Sequence, residues 1–137
     1  MKNRLMTTGL LLTQTIKTGK AAKAVTNFIY GTAYAMAVPN TVHQAILVEL
    51  ARQIANFLTG KPCRVLPAPY DVRLFYAEGE SDDTVLQPDI IVVCDRGKLG
   101  KEGCRGAPDF VVEIISPSNT AAEMQRKFKL YRQAGVR

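Results

Sequence analysis

No Asp or Glu occurs before Glu49, although Lys2, Arg4, Lys17, Lys20 and Lys23 all stand in that stretch. Of the 18 Lys and Arg those five come first, leaving 13 against all 12 Asp and Glu, so the formal charge of +6 belongs to the front of the chain. A basic groove spread over a folded body is therefore not the source of the charge; a basic leader holding phosphate by electrostatics alone is compatible with it. Long apolar runs are also lacking. Leu10 to Leu12 is hemmed in by Gly9 and Thr13, far short of the roughly 18 residues that cross a bilayer, so no membrane partner is expected. Cys63, Cys94 and Cys104 are odd in number and show no C-x-x-C spacing, which argues against a disulfide framework and against structural zinc. Reduced thiols and a cytoplasmic location are expected. The first 24 residues imitate a secretion signal, with a basic start and small residues at Ala22 to Ala24, but Thr7, Thr8 and Gly9 interrupt its apolar part.

A length of 137 residues suits one domain with a real core and is too short for two. Residues 1–26, rich in Thr, Lys and Ala without a sustained apolar period, read as a mobile basic leader, and 27–137 as the folded domain. Ile29 to Met36 looks like a strand or hairpin arm. Ile46, Leu47, Leu50, Ala51, Ile54, Phe57 and Leu58 recur at helical spacing, with Asn40 or Thr41 to cap the helix and Gly60 to stop it. This helix, His43 to Leu58, should lie on a sheet. Tyr70 to Tyr76 alternates as a strand, and Glu78 to Thr84 is an acidic loop. Pro88 cannot donate to a sheet ladder, so it marks the first residue of a strand continuing through Val93. The glycines from Gly97 to Gly106 read as a plain connection into a second strand, Asp109 to Ile115. Both strands are apolar on both faces, as buried strands are. Ser116 to Asn119 breaks the chain into a last helix that Gly135 ends. The fold class expected is α/β, a mixed central β-sheet flanked by the helices His43–Leu58 and Asn119–Ala134.

Glu113 is the anomaly in this pattern, because an ionised carboxylate inside a buried strand costs several kcal/mol unless a cation or hydrogen-bond donors compensate it. If its strand neighbours that of Asp89, two carboxylates about 5 Å apart repel by roughly 3 kcal/mol at an effective dielectric near 20. A shared Mg²⁺ (or Mn²⁺) reverses that sign, since hard cations take oxygen ligands and keep several waters. One such water, made more acidic, can attack a phosphodiester. The reaction also needs a positive group, and the last helix offers Lys127 and Lys129. Lys127 has Met124 three residues before it, Tyr131 four after it and Phe128 beside it, so it borders the face turned to the sheet. Lys129 is surrounded by Gln125, Arg126, Arg132 and Gln133 and should face solvent.

From about Ala35 to Val136 the sequence resembles the Uma-type restriction-endonuclease family of the PD-(D/E)xK nuclease superfamily. The resemblance rests on His43-Gln44 opening the helix, Pro67 to Arg73, Gln87-Pro88-Asp89, Cys104 to Asp109, Val112 to Ser118, and Lys127 to Tyr131 followed by Ala134-Gly135-Val136. It implies a restriction-endonuclease-like core in which Asp89 and Glu113 bind metal, and DNA as the partner. In the superfamily pattern a lysine stands two residues after the glutamate, where this chain has Ile115; the family's helix lysine corresponds to Lys127. Two positions depart from the family. A Glu-Leu-Ile-Asp-Gly run is replaced by Asn27-Phe28-Ile29-Tyr30-Gly31, and the family's C-terminal strand with Glu-Tyr-Trp has no counterpart before Arg137. A sheet so ended would carry an open edge, a place where a homodimer could form.

The expected function is a metal-dependent DNA endonuclease using Asp89, Glu113 and Lys127. The alternative is a catalytically impaired nuclease-fold module that binds nucleic acid or partners without cleaving, its carboxylates ion-paired or capping backbone donors. His43, a lone histidine in a helix's first turn, reads more as a cap or packing residue than as a site residue. Asp71 and Asp109 read as strand-end groups that satisfy turns. Ser116 and Ser118 have no histidine nearby in sequence to make either a nucleophile.

Overall fold

The computed structural model describes residues 26–80 and 82–137; the expected mobile leader lies outside the described residues, Thr26 apart. Among the described residues, nine strands and two principal helices form a mixed α/β architecture, in agreement with the fold class read from the sequence. The strands are β1 (Thr26–Ile29), β2 (Thr32–Ala35), β3 (Arg64–Pro67), β4 (Val72–Arg73), β5 (Val85–Leu86), β6 (Ile90–Val93), β7 (Leu99–Gly100), β8 (Gly103–Arg105) and β9 (Phe110–Val112). The helices are α1 (Thr41–Phe57) and α2 (Ala121–Ala134). Hydrogen bonding divides the strands into two sheets rather than one, with orders β2-β1-β5-β4-β8-β7 and β3-β6-β9. Among the described strands, only the β4–β8 pair is parallel.

Each sheet has a sequence cause. The Ile29 to Met36 segment is a hairpin and not a single arm, because Tyr30 and Gly31 both adopt positive φ, +48° and +76°, the turn that matches strand twist. The strand expected over Tyr70 to Tyr76 contracts to Val72–Arg73. The glycine-rich connection contains a hairpin, β7–β8, where Gly103 at φ +125° passes so close to the Asp71 carbonyl that a Cβ would collide with it. All four residues of β6 are buried, which is why that strand lies at the centre of its sheet with neighbours on both edges.

β6 and β9 are shorter than the apolar runs that encode them because aspartates take over their ends. Ile114 N–H donates to Asp89 Oδ2 and Cys94 N–H to Asp109 Oδ2, both at 2.7 Å, instead of continuing the ladder. Asp71 likewise serves a neighbour, accepting from Gln87 Nε2 at 2.6 Å.

Asn40 caps α1 by accepting from His43 N–H at 2.9 Å. The helix rests on β3 with Leu47 as its buried residue, while Ile46 and Phe57 from the same periodic stripe stay exposed. For α2 the cap is Thr120, and Asn119 instead accepts from Ser116 N–H in the preceding turn. Gly135 ends this helix in the left-handed region at φ +91°, as its place after the last periodic residue required. Leu130 and Tyr131 of α2 close the core over Val72, Leu74, Leu86, Ile91 and Val93.

The cysteines correct the expectation of reduced thiols: Cys63 and Cys94 form a disulfide and Cys104 alone is free and buried. The antiparallel register pairs Arg64 with Val93, so the next residues outward are Cys63 and Cys94, with Cα atoms 3.8 Å apart. Parity and motif spacing do not report such a cross-strand neighbourhood. No helix of the described residues is long and apolar enough to cross a membrane.

Candidate active site

Register also builds the carboxylate pair. With Ile90 opposite Val112 in the antiparallel β6–β9 ladder, the next pair outward is Asp89 and Glu113. Both sit one residue beyond their strands and not within them as expected, at the mouth of a cleft of about 470 Å³ that His43, Gln44, Gln87 and Lys127 also line.

Asp89 is held by three separate elements. Its carbonyl oxygen accepts from Ala68 N–H at 2.8 Å, Oδ2 accepts from Ile114 N–H, and Oδ1 lies 3.1 Å from His43 Nε2. Both carboxylate oxygens therefore meet a donor, yet the side chain still reaches the cleft.

Glu113 is enclosed by α2. Lys127 Nζ stands 3.1 Å from Oε2 and 3.2 Å from Oε1, and the Tyr131 hydroxyl donates a short hydrogen bond to Oε1. Lys127 is 4% exposed, and the two donors project together because they are four residues apart on one helical face. Burial pushes the Glu113 carboxyl above its ordinary value; the Lys127 charge and the Tyr131 hydrogen bond oppose that rise, and the Asp89 charge adds to it. Burial raises the Tyr131 hydroxyl well above its ordinary value too, with the Glu113 charge acting in the same direction.

The structure thus brings Glu113 and Lys127 into direct contact and sets Asp89 in the same cleft, and it adds two residues that the sequence reading left out. Tyr131 was legible as the neighbour of Lys127, and a buried tyrosine hydroxyl requires a partner. His43 stands four residues before Leu47, the one buried residue of α1, a spacing that turns it toward the sheet. Asn27, where the family run begins with glutamate, is 3% exposed and its Oδ1 accepts from Gln87 N–H at 2.9 Å. Ser116 and Ser118 lie along the cleft with hydroxyls 2.7 Å apart, part of the turn into α2.

The mixed α/β core thus presents a carboxylate pair at adjacent strand ends, with a lysine from a flanking helix. Residues 20–137 match the sequence model of the Uma2 family, described as putative restriction endonuclease, and the chain belongs to that family. It is 29% identical over 101 residues to an uncharacterized protein of Synechocystis sp., a match covering 74% of this chain and 50% of the relative. The chain thus spans about half the length of that curated relative. Its fold is similar to the crystal structure of a putative nuclease belonging to DUF820 from Anabaena variabilis, with a TM-score of 0.65 and 20% identity over 91% of this chain and 69% of the other.

Proposed function

We propose that this protein is a divalent-metal-dependent endonuclease that hydrolyses DNA phosphodiester bonds. The observation that carries the reading is the meeting of Asp89, Glu113 and the buried Lys127 at one cleft mouth. The donor chemistry suits Mg²⁺ or Mn²⁺, which take oxygen ligands. Besides the two carboxylates the cleft is lined by Gln87, whose Oε1 is the one buried side-chain polar atom without a hydrogen-bond partner among the described residues. Asp89 and Glu113 would hold the ion. A bound Mg²⁺ supplies a more acidic water and stabilises charge developing on the phosphate. Lys127, already held beside Glu113, places a positive charge where that phosphate would lie and restrains the carboxylate.

A second reading has its own support: Glu113 has both oxygens partnered within the protein, and no group of three or more His, Cys, Asp or Glu suited to a metal occurs among the described residues. Those facts favour a nuclease-fold module that binds nucleic acid without cleaving it. Plasmid cleavage with Mg²⁺ or Mn²⁺, compared between wild type and Asp89→Asn, separates the two. Cleavage by wild type alone is expected; equal cleavage by both proteins would sink the assignment. Absence of Mn²⁺ binding at millimolar concentration, with DNA binding retained, would establish the module.

A further inference from the structure

We infer that His43 is a positioning residue for Asp89: its Nε2–H fixes the carboxylate so that the remaining lone pairs face the cleft and a divalent cation. The inference rests on the metal-dependent reading above. The torsion that rotates an aspartate carboxylate is broad and roughly two-fold, so one hydrogen bond leaves it loosely set. Asp89 has two restraints of different origin. Ile114 N–H, from the chain leaving β9, reaches Oδ2 at 2.7 Å, and His43 Nε2, from the first turn of α1, reaches Oδ1 at 3.1 Å. Each carboxylate oxygen accepts one bond and keeps a second lone pair.

The histidine is itself held. Asn40 Oδ1 fixes its backbone N–H at the helix start, its side chain is only 11% exposed, and the Gln44 amide oxygen lies 3.1 Å from Nδ1. The Nε2–H tautomer lets the ring donate to Asp89 Oδ1 while Nδ1 accepts from the Gln44 amide with its nitrogen turned to the ring, an assignment made from the hydrogen-bond partners. Through this contact α1, which packs on β3, becomes part of the site's support.

The test uses the whole chain and compares wild type, His43→Leu, His43→Gln and His43→Asn, each checked for a native melting transition. Mn²⁺ titrated by calorimetry is the primary readout, and metal-free DNA binding in EDTA, followed by fluorescence anisotropy, is the second. Loss of a hydrogen bond that orients a metal ligand weakens affinity roughly 10–100-fold. His43→Leu and His43→Asn should show that loss. The glutamine amide can reach the place of Nε2 and should restore most of the affinity, while DNA binding without metal stays at the wild-type value. Should His43→Leu not fold, the contrast between Gln and Asn carries the same information. Unchanged Mn²⁺ affinity with weakened DNA binding would make His43 a nucleic-acid contact and overturn the inference. Equal losses in Gln, Asn and Leu would reduce it to packing. If wild type itself takes up no Mn²⁺, the metal reading falls and this inference with it, whereas uptake that is indifferent to position 43 removes the inference alone.

Discussion

The two carboxylates of the cleft stand opposite each other in register and are treated in opposite ways. Asp89 is anchored through its own carbonyl by Ala68, and its carboxylate meets one backbone donor, Ile114, and one side chain, His43. Glu113 is held by side chains, Lys127 and Tyr131, both carried on α2. A residue anchored through its own backbone keeps its place in the sheet when a nearby side chain changes, while its carboxylate can still lose orientation if His43 is altered. One neutralised by a buried lysine depends on that lysine for its charge state, and the lysine depends on it in return. The sheet thus sets the position of the site, and α2 sets its electrostatics.

The largest test of this contrast is Lys127→Met. Removing one member of a buried pair leaves an uncompensated charge, worth about 3–5 kcal/mol, and urea unfolding at neutral pH should show a loss of that order. The loss should shrink in acid, where Glu113 takes up a proton. Lys129→Met, on the exposed side of the same helix, serves as the control; comparable losses in both would end the distinction between the two lysines.

Tyr131→Phe removes a single hydrogen bond to the same carboxylate while keeping the ring in the core. Bonds to charged groups contribute about 1.5–3 kcal/mol, so the melting temperature should fall, though by less than for Lys127→Met. A neutral result would mean that Lys127 alone satisfies Glu113.

The smallest expected effect is on pH dependence. Burial raises the folded-state carboxyl of Glu113 above its ordinary value, so between those two values the folded chain holds more protons than the unfolded one. Stability from this group is complete below the ordinary glutamate range and is lost as pH rises through the raised value, with a slope of at most about 1.4 kcal/mol per pH unit. Denaturant unfolding from pH 4 upward should show that fall in wild type relative to Glu113→Gln; parallel curves would contradict it.

Much of this arrangement was legible because it follows from short-range pattern. The 3.6-residue period placed both helices, and it separated Lys127 from Lys129 by face. Pro88 and the apolar run after it located β6. The division into two sheets was not legible, since strands of two to four residues leave little alternation to read, and nothing local in Val72-Arg73 or Val85-Leu86 says which strand each will pair with. His43 and the Cys63–Cys94 bridge escaped for a related reason: each depends on a partner 46 or 31 residues away in the chain, set by register and packing. Glu113 gave the opposite case, because a charge inside an apolar run demands compensation wherever the partner comes from.

The reciprocal aspartates at the ends of β6 and β9 carry one more consequence. Asp89, at the start of β6, accepts from the backbone beyond the end of β9, and Asp109, at the start of β9, accepts from the backbone beyond the end of β6. Together they act as end stops on the ladder. Sliding one strand by a single residue would break both bonds at once and would turn the opposing carboxylate to the other face of the sheet. The same carboxylate therefore fixes the alignment of the strands that present it, and Asp89→Asn, which keeps an acceptor oxygen, can remove its charge without releasing that alignment.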